Sequence, residues 1–199
     1  MKDYIADMNT TQTTNQREDA MVYELTAMSK RNGFSHETYG SKNIEWYTPP
    51  WVFELLRLDF DLDPCQPETR IPWIPAKRRY TIKSDGLSSP WSGRVWLNPP
   101  YGKHTGSWLR KMDDHRNGIA LVFSRTDCAW FHEYIAWADA ILFLKGRVKF
   151  VDGLGRASRK GAGSGSLLAA WGADNVAALR RLYALGHFTF GNGLSGGER

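Results

Sequence analysis

Cysteine is scarce in this chain of 199 residues: there are two, Cys65 and Cys128, and no CxxC pair. That spacing excludes a disulfide framework and a thiolate zinc site, and it predicts two reduced thiols. The five histidines, His36, His104, His115, His132 and His187, are scattered, so no metal site is expected. Long apolar runs are also missing. No stretch approaches the length of a membrane span, and the opening MKDYIADMNTTQTTNQRED lacks the apolar core of a secretory leader. These absences lead to the expectation of a soluble, cytoplasmic protein. No internal repeat is visible.

What is present fits one globular unit. The composition, 42% hydrophobic and 24% charged, is that of an ordinary domain, and the length suffices for one sizeable core. Tryptophan stands out with nine copies, which either fill a core or stack on flat ligands. The net charge of +5 leans toward a polyanionic partner.

Residues 1–40 read as a polar arm, carrying a short helix over Ala20–Met28, ahead of a domain over 41–190 and a tail over 191–199. TPPWVFELLRL predicts a helix with Thr48 as its N-cap. FDLD (Phe60–Asp63) is a short strand ended by Pro64. The proline-rich segment that follows, as far as Leu87, reads as loop. RVWLN (Arg94–Asn98) is the next strand, and Ser107–His115 a helix. GIALVFS (Gly118–Ser124) and ADAILFLKG read as strands buried on both faces. Between them DCAWFHEYIAWA predicts a helix capped by Asp127. RVKFV and SLLAAWG form an expected strand pair around the Gly/Arg/Lys-rich GLGRASRKGAGSG. DNVAALRRLYAL predicts a helix capped by Asp174, and the glycine-rich end frays.

Strands alternating with helices imply an α/β domain with a mostly parallel sheet, in which ligands sit at the carboxyl ends of strands. That rule selects Asp63-Pro64-Cys65 and Asn98-Pro99-Pro100-Tyr101. In the second, each residue before a proline is held extended. The Pro99 carbonyl and the Asn98 side-chain oxygen can then converge as two acceptors on one –NH2 group, with the Tyr101 ring beside it. Two hydrogen bonds accepted from an exocyclic amine localise its lone pair, which is what methyl transfer to that nitrogen requires. The competing reading is a plain turn, since Asn, Pro and Gly dominate turns.

NPPY resembles the [DNS]-PP-[YFW] motif of amino-group methyltransferases that use S-adenosylmethionine. In order along the chain, WYTPPWVFELL, FDLDPCQ, DGLSSPWSGRVWLNPPYG, SRTDCAWFHE, FLKGRVKF and GSLLAAWG resemble the phage-type DNA N-6-adenine methyltransferase (Dam) family. The resemblance covers most of Trp46–Gly172. It implies a Rossmann-like methyltransferase fold, with helices on both faces of the sheet and an antiparallel strand near the C-terminus. It further implies that Asn98, Pro99, Pro100 and Tyr101 grip an adenine flipped out of double-stranded DNA. Tyr47, Thr48, Pro49, Asp63, Pro64 and Cys65 would lie near the methionine end of S-adenosylmethionine, and Asp85 would accept from the donor's adenine amine. The chain departs from the general methyltransferase pattern in having no glycine in DPCQPETR, where a glycine-rich loop is usual.

Among the basic residues, Arg125, Arg147, Lys149, Arg156, Arg159 and Lys160 are the candidates for the DNA backbone, the last three in a glycine- and serine-spaced loop. Arg125 is equally readable as a solvated charge beside a capping Asp127, and Lys77-Arg78-Arg79 as a solvated face. Other acceptors use the same hook: cytosine N4, RNA adenine or a protein glutamine. A catalytically silent nucleic-acid-binding module on this fold is the alternative of a different class, and the intact NPPY argues against it. The expected setting is phage-encoded or bacterial restriction–modification, and the expected assembly a monomer or weak dimer.

Overall fold

The computed structural model describes residues 46–159 and 161–193. The expected N-terminal arm with its helix Ala20–Met28, Lys160 and the last six residues lie outside the described residues. In chain order the elements are α1 (Pro50–Leu56), β1 (Phe60–Asp63), β2 (Ala76–Arg79), β3 (Val95–Leu97), α2 (Thr105–His115), β4 (Gly118–Phe123), α3 (Ala129–Glu133), β5 (Ala140–Leu144), β6 (Ser166–Trp171), α4 (Ala173–Arg180) and β7 (Gly186–Phe190). Short 3-10 turns follow α3 and α4.

The strands form one sheet in the order β2-β1-β3-β4-β6-β5-β7. β2, β1, β3 and β4 pair in parallel, whereas β6 is antiparallel to both β4 and β5, and β7 is antiparallel to β5. The mostly parallel sheet expected from sequence thus holds for one half. The other half is antiparallel, with two reversed strands rather than one. Alternate residues of each strand face opposite layers. Phe60, Trp96, Ile119, Leu121, Leu142 and Leu168 pack with α1 and α4 on one face. Leu62, Val95, Leu97, Ala120, Val122 and Trp171 pack with α2 and Ile135 on the other. β4 and β6, joined over six register pairs, are buried almost throughout, which is why both read as unbroken apolar runs.

Four local expectations are corrected. The segment read as loop contains β2, whose sequence AKRR buries only Ala76; an edge strand with both faces wet carries no apolar pattern. RVKFV joins no sheet. Its alternating burial of Val148 and Phe150 is real, but its partners are loop residues: the Phe150 and Val148 carbonyls accept from Ser158 and Ala162. Gly186–Phe190, inside the expected domain but assigned no element, form β7 on the other sheet edge. The three caps also differ. Pro49, Cys128 and Gly172 occupy the N-cap positions of α1, α3 and α4, and none caps through a side chain. Thr48 is instead turned into the interior, and Asp127 belongs to the turn preceding α3. Asp174 lies within the first turn of α4, where it pairs with Arg94 at 3.5 Å.

Candidate active site

Because β1 to β5 run the same way, their carboxyl ends share one edge, and the segments leaving them meet there. β6 is reversed, so the long connection from β5 returns to the same edge, where the Ser124 N–H donates to the Gly165 carbonyl at 2.9 Å. These segments enclose a cleft of about 850 Å³, of the size that takes a cofactor-sized ligand. Pro64–Glu68 after β1, Thr81–Gly86 after β2, Asn98–Tyr101 after β3, Phe123 of β4, and residues from Phe150 to Gly163 contribute to its wall.

At one end, the Asp63 side chain is 3% exposed, and its Oδ1 accepts the Cys65 N–H at 2.9 Å. The turn role that competed with a ligand role is therefore present. No ion pair links this carboxylate to a cation among the described residues, and desolvation pushes its pKa up to about 7, against the Cys65 and Gln66 contacts that favour the charge. The same burial raises the Cys65 thiol, so it is no reactive thiolate.

The next segment lies directly against this turn. A Cβ on Gly86 would meet the Pro64 carbonyl oxygen at 2.2 Å, so only glycine lets the two backbones approach. Beside it Asp85 has φ 44, a left-handed conformation that aspartate tolerates, and its Oδ1 accepts the Leu87 N–H at 3.1 Å. Hydrogen bonds from Ser88 and Leu87 hold its carboxyl below the ordinary range. Lys111, on α2, pins the loop by donating to the carbonyls of Gly86, Leu87 and Ser89 at 3.2, 2.5 and 2.5 Å. Its Nζ stands 5.2 Å from the Trp91 ring centroid, and Trp91 stacks on Trp108, which lines the cleft.

At the other end, β3 delivers Asn98 to the cleft with its Oδ1 buried and unpartnered. Pro99 is buried. The chain beyond Pro100 is folded back by Thr105, whose Oγ1 accepts the Gly102 N–H at 3.0 Å and donates to the Pro100 carbonyl at 3.4 Å. The Tyr101 ring lies parallel to Phe123, with centroids 3.8 Å apart and planes 9° from each other. That contact covers one face, and the residue stays 37% exposed. Remote from the cleft, Asp113 accepts from Trp171 Nε1 at 3.0 Å and Asn175 donates to Asn117 at 2.9 Å, whereas Thr48 Oγ1, Trp96 Nε1 and Ser166 Oγ are buried without a partner among the described residues. Of the buried side-chain atoms lacking a partner, only those of Asn98 and Gln66 belong to residues lining the cleft.

The predicted residues divide accordingly. Tyr47, Pro64, Cys65, Asp85, Asn98, Pro99, Pro100 and Tyr101 line one cleft, and Asp63 precedes the turn that enters it. Thr48 and Pro49 are buried without lining it; the Thr48 carbonyl accepts from Trp73 Nε1 at 2.9 Å. Arg159 reaches the cleft, whereas Arg125 and Lys149 are exposed away from its wall. Arg147 donates to the carbonyls of Ala162 and Gly163, bracing the glycine-rich loop, and Arg156 pairs with Asp152 at 2.7 Å. The Lys77-Arg78-Arg79 run is used locally, on Asp61, Ser92 and the Glu68 carbonyl. Sequence reasoning missed Gln66, Ile82, Trp108, Phe123 and Phe150 as cleft residues. For Gln66 the signal was its place two residues beyond the strand-ending Pro64; for Ile82 there was none. Among the described residues there is no cluster of His, Cys, Asp or Glu able to hold a metal, and no helix long and apolar enough to cross a membrane.

Residues 35–176 match the family model described as DNA N-6-adenine-methyltransferase (Dam). No curated protein and no solved structure matches the chain. The matched span runs through both ends of the cleft, takes in the sheet from β1 to β6 and stops inside α4. The chain belongs to the DNA N-6-adenine-methyltransferase (Dam) family.

Proposed function

We propose that the protein transfers a methyl group from S-adenosylmethionine to adenine N6 in double-stranded DNA, on a Rossmann-like scaffold and with the target base flipped into the cleft. The observation that carries this reading is the buried, unpartnered Oδ1 of Asn98 beside Tyr101. A buried acceptor left without a donor costs about 1–3 kcal/mol, so its placement at a cleft wall calls for a ligand N–H.

The donor supplies an electrophilic methyl on a positively charged sulfur. The chain's residues fit such a ligand: the cleft has the volume, the Asp63 carboxylate lacks a cation, and Asp85 offers an acceptor at the same end. Asn98 Oδ1 and the Pro99 carbonyl accept the two amine hydrogens of adenine and localise the nitrogen lone pair. Both acceptors interact more strongly as that nitrogen becomes positive, and they hold it until its proton leaves to solvent. Pro100 stiffens the hook. With Phe123 against one face of Tyr101, the opposite face is the one on which the extruded base stacks. Extrusion costs a few kcal/mol, which contacts to the DNA backbone offset. Arg159 stands at the cleft, and Lys149 and Arg125 are exposed outside it.

The test is methyl transfer from labelled S-adenosylmethionine to duplex DNA, followed by nucleoside analysis. N6-methyladenine is the expected product. Label appearing in cytosine, RNA or protein but not in DNA adenine overturns the proposal. The Asn98→Ala variant should lose about 10²- to 10³-fold in kcat while still binding the donor.

A further inference from the structure

The strand β7, remote from the cleft, ends the sheet with an outer side whose hydrogen-bonding direction follows from its register. The Lys145 N–H donates to the Leu185 carbonyl at 2.8 Å, and the Gly191 N–H to the Asp139 carbonyl at 3.2 Å. Between these two bonds β7 runs antiparallel to β5, with Phe188 opposite Leu142 and Phe190 opposite Ala140. Antiparallel residues alternate between pairs that exchange hydrogen bonds and pairs that do not. His187 and Thr189 therefore bond to β5, while Phe188 and Phe190 turn their N–H and carbonyl groups outward. Among the described residues only the Phe190 carbonyl meets a donor there, the neighbouring Thr189 Oγ1 at 3.1 Å. The rings of Phe188 and Phe190 meet edge to face with centroids 5.4 Å apart, and Phe190 is 53% exposed.

The two edges of the sheet differ in charge. β2 carries Lys77, Arg78 and Arg79, which guard it against pairing, whereas residues 182–193 contain no Asp, Glu, Lys or Arg. In a chain of net charge +5, a basic edge repels a second copy and a neutral edge does not. The strand is also complementary to itself. With a two-fold axis at Phe188, the two Phe188 residues exchange N–H···O=C bonds. Phe190 of each copy then falls opposite Gly186 of the other, where no side chain competes with the ring. We infer that β7 is a homodimer interface, pairing antiparallel with β7 of a second copy and joining the two sheets into one. The strands of the two copies run in opposite directions across this junction, so the two clefts face opposite ways and neither is covered.

The experiment is sedimentation equilibrium of the full chain from about 1 μM to about 1 mM, the range in which small interfaces associate, with amide hydrogen exchange at both limits. A monomer–dimer equilibrium is expected, with the Phe188 amide protected at the upper concentration and exchanging freely at the lower. Phe190→Lys places a charge on the neutral edge and should weaken association at least about tenfold. Leu154→Lys places the same charge on a side chain that is 75% exposed elsewhere. It should leave association within about twofold. Under mild oxidation Phe188→Cys should form a crosslinked dimer on a non-reducing gel, because residues directly opposite on paired strands lie within disulfide reach. Wild type, carrying Cys65 and Cys128 alone, should not. A chain that stays monomeric throughout overturns the proposal, as does a dimer that Phe190→Lys leaves intact or one that Phe188→Cys fails to crosslink. Protection of the Phe188 amide at every concentration also overturns it, since a segment of the same chain would then occupy the edge.

Discussion

Among the described residues no cation pairs with the enclosed Asp63 carboxyl, and its titration follows from that. Burial raises its pKa to about 7, from 3.8 in an exposed chain, so the folded protein holds this proton more tightly than the unfolded one. The stability contributed by the group is complete below the unfolded value and is lost as pH rises through about 7. A cationic ligand reverses the preference, since only the ionised form attracts it. Donor affinity should therefore strengthen between about pH 6 and 8, by at most about tenfold per pH unit, and level off above the folded pKa. Asp63→Asn should flatten that profile, and calorimetry across the range reads it; a profile unchanged by the substitution removes Asp63 from donor binding. This position was legible in the sequence because a strand-ending Asp-Pro in an α/β pattern falls at the carboxyl edge, and Asn98 was legible for the same reason. Gln66 was not. Whether a glutamine is buried beside Asp63 depends on Tyr80 and on the neighbouring turn, which only the folded chain brings together.

The end of the cleft at Asp63 and Asp85 is held by contacts between elements rather than within them. Lys111 of α2 satisfies three carbonyls of the loop after β2 while resting on Trp91, and Gly86 lets that loop touch the turn after β1. Lys111→Met should lower stability by about 1–3 kcal/mol, since the loop carbonyls lose their donor. It should also raise KM for the donor while leaving DNA affinity unchanged; thermal melts and steady-state kinetics check both. An unaltered KM would reduce Lys111 to a purely structural brace. At this scale the sequence was readable where burial was complete and opaque where it was not. β4 and β6 lie inside the sheet and advertise themselves as apolar runs. β2 and β7 lie at the edges, where AKRR and GHFTF meet water and carry no clear period. The helix starts misled for another reason. Thr48, Asp127 and Asp174 are good capping residues, but Pro49, Cys128 and Gly172 hold the cap positions, Gly172 at φ 92 with its N–H on Asp139 at 2.6 Å.

For the whole molecule, a net charge of +5 makes salt the variable to watch in DNA binding. The basic residues do not contribute alike. Arg147 and Arg156 are engaged with their own loop, while Arg159 faces the cleft. Arg159→Ala should lower the slope of log affinity against log salt by about one and weaken all DNA sequences uniformly. Fluorescence anisotropy over a salt series measures this, and an unchanged slope would free Arg159 of phosphate contact. The reversal of β6 has an effect on a longer timescale. β5 and β6 form an antiparallel pair closed by their own ladder, and the segment between them, residues 145–165, is tethered at both ends to the sheet. Doubling such a connection costs only about 0.6 kcal/mol in closure entropy. The wall of the cleft that carries the basic residues can therefore be lengthened, shortened or exchanged over generations while the Asn98 hook and the Asp63 turn, set on other strands, stay in register. On the function proposed above, one half of the sheet carries the acceptor hook and the other half carries the connection that can vary.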